Sequence, residues 1–445
     1  ADTFFDKAES PEMDDRISKA YESGDEAAIQ KAKSAKRRLL GQQLEWRGKA
    51  IRIFREIVTK FPDYKELDMV LYYLGNFLSL TGQDRDGLDY FVTLITRFPE
   101  SPRIPNALVN AGDYYFHTNM YEEAGQYYEK AKSFEKSGIF GYAVYKQAWC
   151  YYNMGDYEQA FNAFVEVIEH SDALEKKNKH IKIGLKVEAQ KDIVLAYSQI
   201  GEEGKAVSFF MKYAPDMYLE LSKQLAKLYL SQGEPLRATK MYKNIMKHYG
   251  KLIKADNAEE AGLLPIQKEI VVATDRTGDK LKTRKEVKRL AKLYRVLTKK
   301  KSEVAAREKD DIAEIIHRMA VSYHVESQKT QERKTMLLAR ELYSLYLDLF
   351  PETDNTAKIV LNMAVLAYQL EDYAKAVFRY EQVLKMDPTG PRSRDAAYAV
   401  LLAYYHLLGK EKVKITQESS GFDNLEKVEI PKLQADLITA CDRFV

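Results

Sequence analysis

Along most of the chain hydrophobic residues recur every three or four positions, in blocks a few helical turns long. Short polar breaks, many carrying glycine, separate the blocks. The clearest stretch is Tyr142 to Val167, YAVYKQAWCYYNMGDYEQAFNAFVEV. It predicts two helices joined by a tight turn at Asn153-Met154-Gly155-Asp156. Gly155 suits the left-handed backbone that stops a helix. In the second helix Tyr157, Ala160, Phe164 and Val167 share one face, and small Ala160 lets another helix approach closely. Units with the same pattern are predicted over 68–99, 105–131, 187–213, 219–245 and 357–388. The first of these has Leu71, Leu74, Gly75 and Leu78, a turn at Gly82, then Gly87, Phe91 and Leu94; the second has Leu108, Ala111 and Gly112, then Tyr121, Ala124 and Tyr128. Further units are read where a basic helix from about Asp25 runs to Phe61-Pro62, over 303–351 with a polar insertion ESQKTQERK, and from Tyr398 with Gly409 in the turn. Residues 1–25 are acidic and read as a loose lead-in. Residues 250–301 are degenerate, with a helix near 262–275, a turn at Gly278 and a helix over 283–300. A basic connector is read at 173–186 and a polar loop at 411–429, the latter leading to a helix over 431–444.

The Tyr142–Val167 unit resembles a tetratricopeptide (TPR) repeat, through the alanine early in its second helix, the aromatic four residues later and the glycine in its turn. A phased series of such units implies an all-α fold, a right-handed TPR-like superhelical solenoid of about nine to ten helix pairs. The corresponding organisation is an acidic lead-in over 1–25, an N-terminal array over 26–249, a degenerate basic helical pair over 250–301 as a hinge candidate, and a C-terminal array over 302–445. The last helix has no polar cap, and a solenoid end needs one, so this reading expects the native chain to run past Val445. Several units end in Phe-Pro, at Phe61-Pro62, Phe98-Pro99 and Phe350-Pro351, and the first helices are rich in tyrosine. That style is similar to bacterial envelope TPR proteins, such as outer-membrane-assembly lipoproteins and the large TPR proteins of gliding-motility and secretion machineries. It implies a periplasmic location, with the cytoplasm as the alternative.

Composition narrows the classes. A hydrophobic content of 45% with 30% charged residues is a foldable balance, and a formal net charge of +3 does not make the whole chain a polyanion binder. Cys150 and Cys441 would lie far apart in a linear solenoid, so they neither pair nor fix the redox compartment. No apolar run approaches the ~20 residues needed to cross a bilayer, and no signal peptide is visible. The chain begins at Ala1 without Met, which fits either a processed product that has lost a signal peptide or lipoprotein leader, or a chain that is simply trimmed.

In TPR arrays the first helices line the concave face. The resemblance therefore points at Tyr142, Tyr145, Trp149, Tyr152 and Asn153, at Asn106, Val109, Asp113, Phe116 and His117, and at Met69, Tyr72, Asn76 and Ser79. Together they read either as a groove for an extended peptide or partner helix, with rings as anchors, or as ordinary packing. Some TPR domains grip a C-terminal carboxylate with two asparagines and three cations. Asn76, Asn110 and Lys146 match part of that set, but Tyr72 and Tyr142 stand where two cations belong, so no working clamp is expected. The basic run 280–301, with Lys285, Lys288, Arg289, Lys292 and Arg295, reads first as the solvated face of an amphipathic helix whose apolar stripe is Val287, Leu290, Leu293 and Val296. It reads second as a contact for nucleic acid, anionic lipid or an acidic partner. The 7 histidines are scattered, and no HExxH, phosphate-binding loop or nucleophile elbow occurs. Cys150 reads as a small packing residue.

The sequence is thus read as a non-catalytic protein–protein interaction scaffold that binds a peptide or partner helix in its concave groove, within a bacterial cell-envelope assembly. It expects no cofactor, metal or small-molecule substrate. A nucleic-acid-binding helical repeat using 280–301, or the interaction domain of a larger enzyme, are the alternatives.

Overall fold

The computed structural model describes residues 11–177, 184–254, 259–351, 353, 355–410 and 430–444. Among them every regular element is helical: 21 α-helices and one 3₁₀ turn. They fall into two compact units, divided between Leu225 and Ala226.

In the first unit α1 (Pro11–Glu22) and α2 (Glu26–Lys60) are followed by the pairs α3 (Leu67–Ser79) and α4 (Asp84–Arg97), α5 (Ile104–His117) and α6 (Tyr121–Lys132), α7 (Phe140–Met154) and α8 (Tyr157–Lys177), and α9 (Gly184–Ile200) and α10 (Ala206–Tyr213). The lead-in read as loose is helical from Pro11 to Glu22, and Ala20 is buried where α1 packs on α2. The Asp25 carboxylate caps α2 by accepting from the Ala27 and Ala28 amides. That helix then runs unbroken to Lys60, just before Pro62, whose ring disfavours helical backbone in the residue ahead of it. The turns at Gly82 and Gly155 have φ of +79° and +83°, as their glycines predict. Leu71, Leu74, Leu94, Tyr128, Phe164 and Val167 are completely buried, and they form the seams between successive helices.

In the second unit α11 (Tyr218–Ser231), which contains the dividing point, precedes α12 (Pro235–Lys254), α13 (Leu263–Asp275), α14 (Lys280–Lys299), α15 (Glu303–Arg307), α16 (Lys309–Thr330), α17 (Arg333–Leu349), α18 (Thr356–Gln369), α19 (Tyr373–Met386), α20 (Ser393–Lys410) and α21 (Lys432–Phe444). The degenerate segment contains a true pair, α13 and α14, turning at Gly278 with φ +76°. The polar insertion lengthens α16 to Thr330, and the reversal is made by Gln331 at φ +54°. Gly409 makes no turn among the described residues, because α20 continues to Lys410. The connector 411–429 lies outside the described residues, as do 178–183 of the other connector.

Candidate interaction groove

The first helices of the first unit are tied to one another by polar side chains along one face. Asn76 of α3 accepts from the Asn110 amide of α5 at 2.6 Å. Asp113, one turn further along α5, meets Lys146 of α7 at 3.2 Å. The Tyr142 hydroxyl, also on α7, donates to the same carboxylate at 3.3 and 3.4 Å. Tyr145 of α7 donates to Asp192 of α9 at 2.6 Å. These bonds place α3, α5, α7 and α9 side by side, with Asn76, Asn110 and Asp113 lining an open cleft of about 480 Å³ beside Ser79, Tyr114 and His117.

Asp113 is the centre of this network. It accepts a third bond, at 2.6 Å, from Tyr128, whose ring is wholly buried on α6. Burial, then the Asp113 charge, pushes the Tyr128 and Tyr142 phenols far above their ordinary range, so both stay protonated donors. Lys146 also sits 4.0 Å over the Phe116 ring, an attraction between ammonium and ring face. The part-clamp read from the sequence is therefore occupied from within: its two amides hold each other, and its one cation holds Asp113.

The predicted rings are half-buried rather than free. Tyr72 packs beside Tyr73 and Phe91 at ring distances of 5.5 and 6.3 Å. Phe116 meets Tyr121 edge-on at 5.4 Å. Tyr145 and Trp149 both stand edge-on to Phe164, at 6.0 and 5.8 Å. Tyr152 lies between Trp149 and Tyr157, at 5.5 and 5.3 Å. Asn153 is exposed and folds its amide onto the Trp149 carbonyl. Val109, read as groove-facing, is instead buried in the core, because its position on α5 faces the neighbouring helices. Tyr145 has its hydroxyl pKa pushed up to about 12, chiefly by burial and then by its bond to Asp192. Asp192 was missed in the sequence; nothing marks a carboxylate 47 positions away as a partner. Cys150 is buried in the same region, which pushes its thiol up to about 12 and leaves it a poor nucleophile.

The basic run forms α14. Its buried stripe is Val287, Leu290, Ala291, Tyr294 and Leu297; Leu293 is partly buried, and Val296 is 37% exposed and outside the stripe. The five named cations are all exposed. Three of them pair within the unit: Lys288 with Glu341 at 2.7 Å, Arg289 with Glu286 at 3.0 Å, and Arg295 with Asp348. Lys285 and Lys292 stand in solvent.

Among the described residues no group of three or more His, Cys, Asp or Glu side chains could hold a metal, and no helix is long and apolar enough to cross a membrane. Tetratricopeptide-repeat family models match residues 105–137, 142–171 and 361–411. No curated protein matches the chain. Solved structures similar to it include a tetratricopeptide repeat protein from Parabacteroides merdae, 15% identical over 63% of this chain and 92% of that one, with a TM-score of 0.30. Another is the C-terminal part of a TPR repeat-containing protein from Cytophaga hutchinsonii, 16% identical over 64% of this chain and 97% of that one, TM-score 0.29. A third is the TPR2AB domain of yeast Sti1 in complex with pHSP90, 11% identical over 76% of this chain and 98% of that one, TM-score 0.25. Taken with its all-helical fold and its paired helices, the three matched segments show that this chain carries tetratricopeptide repeats.

Proposed function

We propose that the chain is a non-catalytic scaffold whose first-helix face, over α3, α5 and α7, receives a peptide or a partner helix from another protein. Tetratricopeptide repeats support a protein–protein interaction scaffold in general. The observation that carries the finer reading is the ladder Asn76–Asn110, Asp113–Lys146 and Tyr145–Asp192, which fixes successive first helices beside an open cleft. A face held rigid in this way costs a ligand little ordering of the receptor. The half-buried rings of Phe116, Tyr142, Tyr145, Trp149 and Tyr152 supply anchors whose inner edges are already packed. Tyr72, Asn76, Asn110, Asp113, Lys146 and Asn153 border them. The Phe-Pro unit ends and tyrosine-rich first helices support placing this scaffold in a bacterial cell-envelope assembly, in the periplasm.

The test is site-specific photocrosslinking in a native envelope fraction. A photoreactive residue at Asn153 is compared with one at exposed Arg318 of α16, and the adducts are identified by mass spectrometry. The reading expects a protein adduct from position 153 that is absent from position 318 and lost on Trp149→Ala with helicity unchanged. Identical adducts from both positions, or an adduct indifferent to Trp149→Ala, would show that the aromatic strip is packing only.

A further inference from the structure

A second cleft, of about 520 Å³, lies wholly within the second unit. The second helices of three successive pairs, α14, α17 and α19, wall it, and Met363 and Ala367 of α18 form its floor. Its charges do not balance. Glu341 is shared by Arg284 at 2.6 Å and Lys288 at 2.7 Å. Asp372 is shared by Lys375 at 2.7 Å and Arg340 at 3.4 Å. Each carboxylate can offset only one of its two cations. Arg379 has no carboxylate partner among the described residues; its guanidinium donates to the Gln382 amide oxygen at 2.8 Å. Partial burial disfavours its charged form and lowers its pKa. The surplus is therefore three positive charges beside an aliphatic surface, and a cleft with low-dielectric walls focuses such a field.

The chemistry of the walls selects among anions. The guanidinium fork matches a carboxylate in two-point contact. Leu337, on the wall, is 39% exposed and continues the apolar floor outward. Among the described residues no aromatic ring lines the cleft; the exposed Phe378 ring, 5.4 Å from the Arg379 guanidinium, lies outside its lining and is the one stacking surface beside Arg379. We propose that this cleft docks an acidic segment of a partner protein, its carboxylates on Arg379, Arg340 and Lys375 and an aliphatic side chain against Leu337 and Met363. This surface is separate from the first-helix face of the first unit and would hold a different partner element.

The experiment is fluorescence anisotropy on the full chain with a labelled peptide of alternating glutamate and leucine. The intact protein is expected to bind it with an affinity that falls as salt is raised. Arg379→Gln and, separately, the exposed Lys375→Gln are each expected to weaken binding by about tenfold. Lys65→Gln, which removes one exposed cation from the first unit, is expected to change nothing. Circular dichroism on each variant keeps loss of fold apart from loss of contact. The proposal is overturned if the peptide does not bind, if Lys65→Gln weakens binding as much as the cleft variants, or if a single-stranded RNA of equal charge displaces the peptide.

Discussion

Asp113 shows how one side chain can serve both the fold and the proposed groove. It receives Tyr128 from below, Tyr142 from the side and Lys146 from the rim. Tyr128 in turn lies against Gly112, where a Cβ would come within 2.7 Å of the ring. The ring cannot swing aside, because it is fully buried and its hydroxyl is held by Asp113. Gly112→Ala should therefore force α5 and α6 apart and destabilise the first unit by about 1–3 kcal/mol, as overpacking does. A urea titration monitored by circular dichroism checks this; an unchanged midpoint would mean that the helices part without cost. The sequence placed Gly112 and Tyr128 in the pattern of one helix pair. It could not show that the carboxylate next to that glycine binds the tyrosine, since the bond depends on how α6 folds back.

At the scale of an element, α14 is the instructive case. Its sequence is dominated by lysine and arginine, yet its packing is set by Val287, Leu290, Tyr294 and Leu297. Its one buried charge is acidic. Glu286 is 3% exposed, and it bridges α12 and α13 by meeting Lys243 at 2.9 Å and Gln267 at 3.1 Å, besides Arg289 of its own helix. Burial alone would raise its pKa, but the bonds from Lys243, Gln267 and Arg289 outweigh that and hold it below the ordinary carboxylate range. Glu286→Ala leaves buried Gln267 without that partner and should cost roughly 1–3 kcal/mol. Glu286→Gln, which keeps the volume, should cost less. Urea midpoints of the two variants against the intact chain make the comparison, and equal midpoints for all three would show that the bridge contributes nothing. The helix and its apolar face were legible from periodicity. The burial of one glutamate among so many cations was not, because α12, α13 and α14 meet there only in three dimensions.

At the scale of the molecule, stability in a repeat array is close to a sum over neighbouring elements, so titrating groups leave a mark in proportion to their burial. His317 and His324, both on α16, have imidazole pKa values lowered from 6.5 chiefly by burial, His317 also by Lys358. A base with a depressed folded pKa contributes stability that is complete above its ordinary value and is lost as pH falls through the folded value. Acidifying from about pH 7 to about pH 5 should thus lower the urea midpoint, in a window above the one in which Glu286, Glu341 and Asp372 become protonated. His324→Phe should flatten the upper window while sparing the lower one. A profile that keeps its full slope in that variant would assign the loss to other groups.

The hydrophobic period, the small residues at Gly75, Gly112 and Ala160, and the glycine turns at Gly82, Gly155 and Gly278 are local, and local rules govern them. From these the sequence by itself determined the helices, their pairing and the kind of repeat. Helix ends could be read wherever a residue's own backbone preference decided them, as at Pro62, but not at Gly409, which α20 carries through to Lys410. The polar partners were settled only by the tertiary structure: Asp113 with Tyr128, Tyr145 with Asp192, and the paired cations around Glu341 and Asp372. Such bonds join residues up to 57 positions apart. A periodic pattern states which way a residue faces, but not which charged or hydroxyl group a neighbouring helix will bring to meet it. That choice depends on the crossing of the helices, and it decides which polar groups are spent within the protein and which are left for a partner.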